Sequence, residues 1–172
     1  MKVGRERVLV VRHGRVCVVL CATLAAVIGL RSTHAEATTE AAKPQISKEE
    51  SEGIIFERQQ IMLQLEKDAD TMGKIAAGMI PPEKLPETAQ AIAQGAKDTL
   101  AAFQERVPGG RTKPEAWSNW SDFNQRLEAF ARNAEIMANA AKSKDVVAVT
   151  STLGDALPCK QCHDLYRLPK KK

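Results

Sequence analysis

From Ile55 to Tyr166 the apolar residues return every three or four positions, the period of helices that each bury one face. In the first stretch Ile55, Met62, Leu65, Ala69, Met72, Ala76 and Met79 step by seven, three, four, three, four and three, and the pattern stops before Pro81 and Pro82. That is the seam of a helix packed at a shallow angle on its neighbours. The second stretch opens on Pro86 and Glu87, with Leu85 placed to cover the start, and its inner stripe is Ala89, Ile92, Ala96, Leu100, Phe103 and Val107. Pro108, Gly109 and Gly110 end it. The third runs from Pro114 through Trp117, Trp120, Phe123, Leu127, Phe130, Ala134 and Met137 to Ala141. Ser143 or Asp145 can cap the fourth, which carries Val146, Val149, Leu153, Leu157 and Tyr166 and meets Pro169 just past its end. Pro158 falls inside it, where a proline removes a backbone donor and crowds the carbonyl of Gly154, so a kink or break is expected there.

Four helices of this length joined by short links predict an all-α fold, an antiparallel up-down-up-down four-helix bundle. The topology brings the start of the first helix, the end of the second, the start of the third and the end of the fourth to one pole. Phe56, Phe103, Trp117, Trp120, Phe123 and Tyr166 map to that pole, leaving Phe130 alone at the alanine-rich other end. Aromatics could simply fill a core, but concentration at one end suits a bundle that spreads to admit a large flat ligand.

The chain has a candidate for holding such a ligand at the same pole. Cys159, Lys160, Gln161, Cys162 and His163 read CKQCH, the spacing for covalent attachment of haem c. Each sulfur can add to one vinyl group, and the adjacent imidazole is delivered as the proximal iron ligand. Three other chemistries use similar strings. Structural zinc needs four ligands, and the mature chain offers only these three of the Cys and His types. A thioredoxin-like dithiol opens a helix after a strand, which is missing here, and a plain structural disulfide remains as the third alternative.

The first residues bear on that choice. Residues 1–37 read as a secretory signal: Lys2, Arg5, Arg7, Arg12 and Arg15, then an uncharged run from Val16 to Leu30, with cleavage after Ala35 or Ala37. The run is short for a membrane span, so a periplasmic protein with a cleaved leader is expected, in a compartment where haem c is attached, with an uncleaved anchor as the alternative. The leader takes Cys17, Cys21, His13 and His34 with it, and six of the 25 basic and two of the 21 acidic residues. The mature chain is then balanced in charge, which removes the case for nucleic-acid binding. Residues 38–48 are small and polar, a flexible lead-in to a bundle over residues 49–168. Residues 169–172 form a basic tail that is solvated or steers an acidic redox partner.

Four motifs together resemble the class II cytochromes c, the cytochrome c prime family. They are Arg58-Gln59 on the first helix, Lys113-Pro114-Glu115-Ala116-Trp117 at the start of the third, CKQCH, and its continuation Asp164-Leu165-Tyr166-Arg167. The resemblance covers about residues 48–168. It implies one haem c held through Cys159 and Cys162 with His163 on the iron. Arg58 and Arg167 would lie near the haem edge and its propionates, and Trp117 is counted with them among the cofactor-binding residues. Met62, four positions after Arg58, takes the place of the family's distal residue. The expectation is that its sulfur binds iron and makes the protein a one-electron carrier serving redox partner proteins, with no enzymatic chemistry. The alternative is a high-spin, five-coordinate haem in which Met62 only crowds the distal face and nitric oxide or carbon monoxide binds. The resemblance also allows a homodimer through the first two helices.

Overall fold

The computed structural model describes residues 46–170; the leader, most of the lead-in and the last two lysines lie outside the described residues. Within them the chain forms α1 (Lys48–Ala76), a 3-10 turn (Pro82–Lys84), α2 (Leu85–Phe103), α3 (Glu115–Ser118), α4 (Trp120–Ala141), α5 (Val146–Thr150), α6 (Leu153–Ala156) and α7 (Cys159–Tyr166). These make four rods, all helical, with α3 and α4 sharing the third and α5, α6 and α7 the fourth. The rod α2 packs along both α1 and α4, and α6 lies on α4.

Local chemistry sets the ends of the rods. Ser47 Oγ accepts the Glu50 amide at 3.1 Å and Glu49 and Glu50 sit in the first turn, so α1 starts with its free amides and positive dipole end compensated. It stops at Ala76 because Gly78 turns left-handed at φ 72°, letting the Met79 and Gly78 amides bond back to Lys74 and Ile75. Met79, expected on the inner stripe, is therefore thrown outward and is 75 % exposed. Asp145 caps α5 by accepting the Val147 and Ala148 amides at 2.9 and 3.1 Å.

The rods are more broken than the periodicity suggests. The third is interrupted at Asn119, whose backbone leaves the helical region at φ −111°, ψ 49°. The fourth breaks before Pro158, as the missing amide requires, and again around Ser151 and Thr152. There Thr150, Ser151 and Thr152 hydroxyls each bond a carbonyl of the preceding turn and compete with the helical ladder. The second ends at Phe103, with Arg106 at φ 50°, so Val107 is buried on a loop and not on the helix stripe.

Two apolar clusters fill the interior. One is alanine-rich and built on Leu65, Met72, Ile75, Leu85, Ile92, Met137 and Val149. The other is aromatic, with Phe103, Phe123 and Tyr166 buried beside Ala116 and Leu127, and Trp117, Trp120, Met62 and Cys162 packed against it. The concentration of aromatics beside CKQCH is thus observed, with one correction. Phe56 is 61 % exposed, because two residues before the buried Arg58 lies the opposite face of α1. Among the described residues no helix is long and apolar enough to cross a membrane.

Close approach of α1 and α2 depends on Gly95. A Cβ there would stand 2.7 Å from Leu65 Cδ2 and 2.9 Å from its Cγ. Gly95→Ala gains about 1 kcal/mol of helix propensity but must shift Leu65 in a packed interface, a cost of about 1–3 kcal/mol. Denaturant titration should find Gly95→Ala neutral to less stable by about 2 kcal/mol. Gly53→Ala, with nothing within 4 Å, should gain about 0.5–1 kcal/mol. Equal gains at both positions would contradict the packing.

Candidate functional site

The helix α7 presents Cys159, Cys162 and His163 within a turn and a half, the first exposed and the other two half-buried. Both thiols are free. Burial pushes the Cys162 thiol pKa up, and burial with the nearby Arg167 and Arg111 charges pulls the His163 pKa down. The imidazole is therefore held neutral, the form with a lone pair to donate to a metal. Among the described residues no group of three or more His, Cys, Asp or Glu side chains is placed to hold a metal ion.

Tethers from two directions hold α7 in place. On one side the segment before α3 runs beside it: the Lys113 amide donates to the Tyr166 carbonyl at 2.9 Å and Lys113 Nζ to the Asp164 carbonyl at 2.9 Å. Thr112 forms a β-bridge with Arg167, and Arg111 Nε and Nη2 donate to the Leu168 carbonyl at 3.0 and 2.6 Å. On the other side the Tyr166 hydroxyl donates to Asp122 on α4, which also receives Arg126 Nε and Nη2 at 2.7 and 3.2 Å. Arg167 itself is exposed at the end of α7.

Arg58 is not a surface charge. It is 5 % exposed, with Nε donating to the Ala102 carbonyl at 3.0 Å and Nη1 to the Val107 carbonyl at 2.6 Å. Its guanidinium lies 4.5 Å from the centre of the Phe103 ring and 5.3 Å from that of Trp117. Arg58 thus supplies the donors that the carbonyls at and beyond the end of α2 need, and stacks on the aromatic cluster. Its Nη2 and the Trp117 Nε1 are buried donors without a partner. Met62 is half-buried, packed against both clusters.

The site is distinct from the groove of 340 Å³ between α1 and α2, which is lined by Ile54, Ile61, Ala101, Ala102, Glu57, Asp98 and Glu105.

A sequence model described as Cytochrome C' matches residues 53–167. The chain belongs to the cytochrome c prime family. A curated cytochrome c' from Alcaligenes xylosoxydans xylosoxydans is 40 % identical over 73 residues, 42 % of this chain and 56 % of that protein, so the match spans about half the length of that relative. Among solved structures, a nitric oxide complex of a mutant cytochrome c prime from Alcaligenes xylosoxidans superposes with a TM-score of 0.64 at 27 % identity, covering 70 % of this chain and 97 % of that one. A ferrous variant of cytochrome c prime from Alcaligenes xylosoxidans with bound NO gives 0.64 at 26 %, with the same coverage. This chain is accordingly a monohaem c-type cytochrome with a four-helix bundle fold, and the haem c of the family is covalently attached. The residues present fit that group: two free thiols and a neutral imidazole on one helix, facing a pole where two buried donors have no partner.

Of the residues expected from sequence, Cys159, Cys162 and His163 share α7, while Arg58, Trp117 and Met62 meet at the aromatic cluster. Lys113 stands in the motif that opens the third helix, but its tethering role, and Arg111 and Asp122 altogether, lie outside what the sequence singles out. For Asp122 the only local signal was its spacing of four from Arg126, an ordinary surface pair.

Replacing Arg58 by Leu would keep much of the side chain's bulk but leave the Ala102 and Val107 carbonyls without donors. Each such loss costs about 1–3 kcal/mol, so equilibrium unfolding should show a drop of about 2–6 kcal/mol for the two. An unchanged midpoint would mean that water serves those carbonyls equally well.

Proposed function

We propose that this chain is a periplasmic cytochrome c prime-like protein whose haem binds a diatomic gas, nitric oxide or carbon monoxide, on the face covered by Met62. A bound c-type haem supplies an iron with one axial position on each face. Cys159 and Cys162 are the thioether sites and His163 the proximal ligand, its imidazole neutral. The spare Nη2 of Arg58 and Nε1 of Trp117 are donors suited to an anionic edge of the cofactor, because a charged guanidinium pairs well with carboxylates. Arg167, exposed beyond α7, can approach the same edge from solvent.

The observation that carries this reading is the state of Met62. Its side chain is engaged by both apolar clusters and so is held by packing, which suits a side chain that crowds a face and excludes water from it. Both of the similar structures described above are nitric oxide complexes by name, which supports the gas-binding reading for this chain.

A second reading keeps Met62 as the sixth iron ligand and the protein as a one-electron carrier to redox partner proteins. One feature favours it: Met62 is the methionine at the aromatic pole, whereas Met72 and Met137 are fully buried in the alanine-rich cluster and Met79 faces solvent. Thioether ligation raises the iron potential and suits electron transfer.

Optical spectra of the reduced protein before and after carbon monoxide separate the two. Gas binding predicts a high-spin spectrum that shifts on addition of carbon monoxide. With Met62→Ala, association should then quicken by about tenfold, the effect of removing about 1.4 kcal/mol of barrier. A low-spin spectrum untouched by the gas, becoming reactive only in Met62→Ala, would replace the first reading by the second.

A further inference from the structure

The helix that carries the two thiols and the imidazole is only eight residues long and has no side-chain cap at its start, where Pro158 stands. A helix this short has no stability of its own, so its direction must come from tertiary bonds. Most of its tethers engage main-chain carbonyls at its very end. One engages a side chain that points into the core.

Tyr166 is that side chain. It lies three positions after His163, on the neighbouring turn of the same helix, and is 6 % exposed. Its ring stands edge-on to Phe123 with centroids 4.9 Å apart, and Asn119 Nδ2 approaches the hydroxyl oxygen at 3.4 Å. The hydroxyl donates to Asp122 Oδ2, and Asp122 is gripped by two donors of Arg126. Both Asp122 and Arg126 lie on α4, the long helix that packs along α2. The Arg126 and Tyr166 bonds hold the Asp122 carboxyl below its ordinary pKa, so it remains a charged acceptor at neutral pH.

We propose that Asp122 is a positioning residue for the haem-binding helix: braced by Arg126, it fixes Tyr166 and thereby the turn of α7 that presents His163. An ion pair between Asp122 and Arg126 alone would be an ordinary half-exposed i,i+4 contact that contributes little. Its significance lies in the third member. Arg126 orients the carboxylate, the carboxylate anchors a buried phenol, and the phenol is part of the helix that must face the iron. This proposal rests on the reading of CKQCH as the haem site, though its first readout does not depend on that reading.

The test uses the purified holoprotein, with Tyr166→Phe, Asp122→Ala and Asp122→Asn. Tyr166→Phe keeps the ring and removes the donor, while Asp122→Asn keeps an acceptor oxygen. Amide hydrogen exchange should quicken in α7 by about tenfold in Tyr166→Phe and Asp122→Ala, with α2 unchanged, because the opening is local. The double variant should be no faster than either single one, and Asp122→Asn should restore most of the protection. The iron–imidazole stretching band in the resonance Raman spectrum of the ferrous protein should shift or broaden in the same two variants. Exchange that quickens equally in α2 and α7 would reduce Asp122 to a general stabiliser and overturn the proposal, as would unchanged exchange in α7. A protein that carries no haem would sink the functional reading, and the exchange in α7 would still decide whether Asp122 holds that helix.

Discussion

Among the described residues, both cysteines able to hold the cofactor covalently sit on one short helix, and that helix cannot hold itself. This constraint shapes the rest of the site. The bonds that orient α7 come from elsewhere: from Arg111 and Lys113 in the segment before α3, which hold its terminal carbonyls, and from Asp122 on α4, which holds Tyr166. The two sets reach α7 from different directions, and a helix fixed from two sides can carry an imidazole in a defined orientation. The pole it faces is lined by aromatic rings in mutual edge contacts, among them Phe103 with Phe123 at 5.2 Å and Phe123 with Tyr166 at 4.9 Å. Such pairs add rigidity beyond the area they bury.

The contrast between the two halves of the bundle follows from side-chain size. Ala89, Ala93, Ala96, Ala134, Ala138 and Ala141 are all buried, and α2 carries Gly95 against Leu65, so the rods at that end can approach closely. At the other end the interior is filled by large rings with the Arg58 guanidinium stacked on them. Arg58 also ties the start of the bundle together, since its donors on α1 serve the Ala102 carbonyl near the end of α2 and the Val107 carbonyl beyond it. A single arginine thus links a helix end to the aromatic cluster and keeps one donor unpaired beside it.

Much of this was legible in the order of residues. The helical period located four rods, Asp145 and Pro158 marked a start and a break, and CKQCH with its following Tyr166 and Arg167 pointed to the cofactor and the family. What escaped depended on where helices stop and on partners distant in sequence. Val107 falls on the expected stripe, which α2 does not reach, and the bonds of Arg58 to the Ala102 and Val107 carbonyls are hidden in the sequence because those carbonyls become available only once α2 ends at Phe103. Met79 was assigned to the core because the left-handed turn at Gly78 was not foreseen. The exposure of Phe56 could have been read from the sequence, since two positions from the seam at Arg58 is the far side of a helix. The bond between Tyr166 and Asp122 spans 44 positions and leaves no local trace.

The central claim is that CKQCH carries one covalently attached haem c. Its most direct test is the intact mass of the purified protein beside that of Cys159→Ser/Cys162→Ser, with the pyridine haemochrome spectrum of each. The account predicts a single haem increment and a c-type spectrum for the unaltered chain, both lost in the double variant. A mass equal to that of the bare polypeptide, or lower by the two hydrogens of a disulfide, would contradict it.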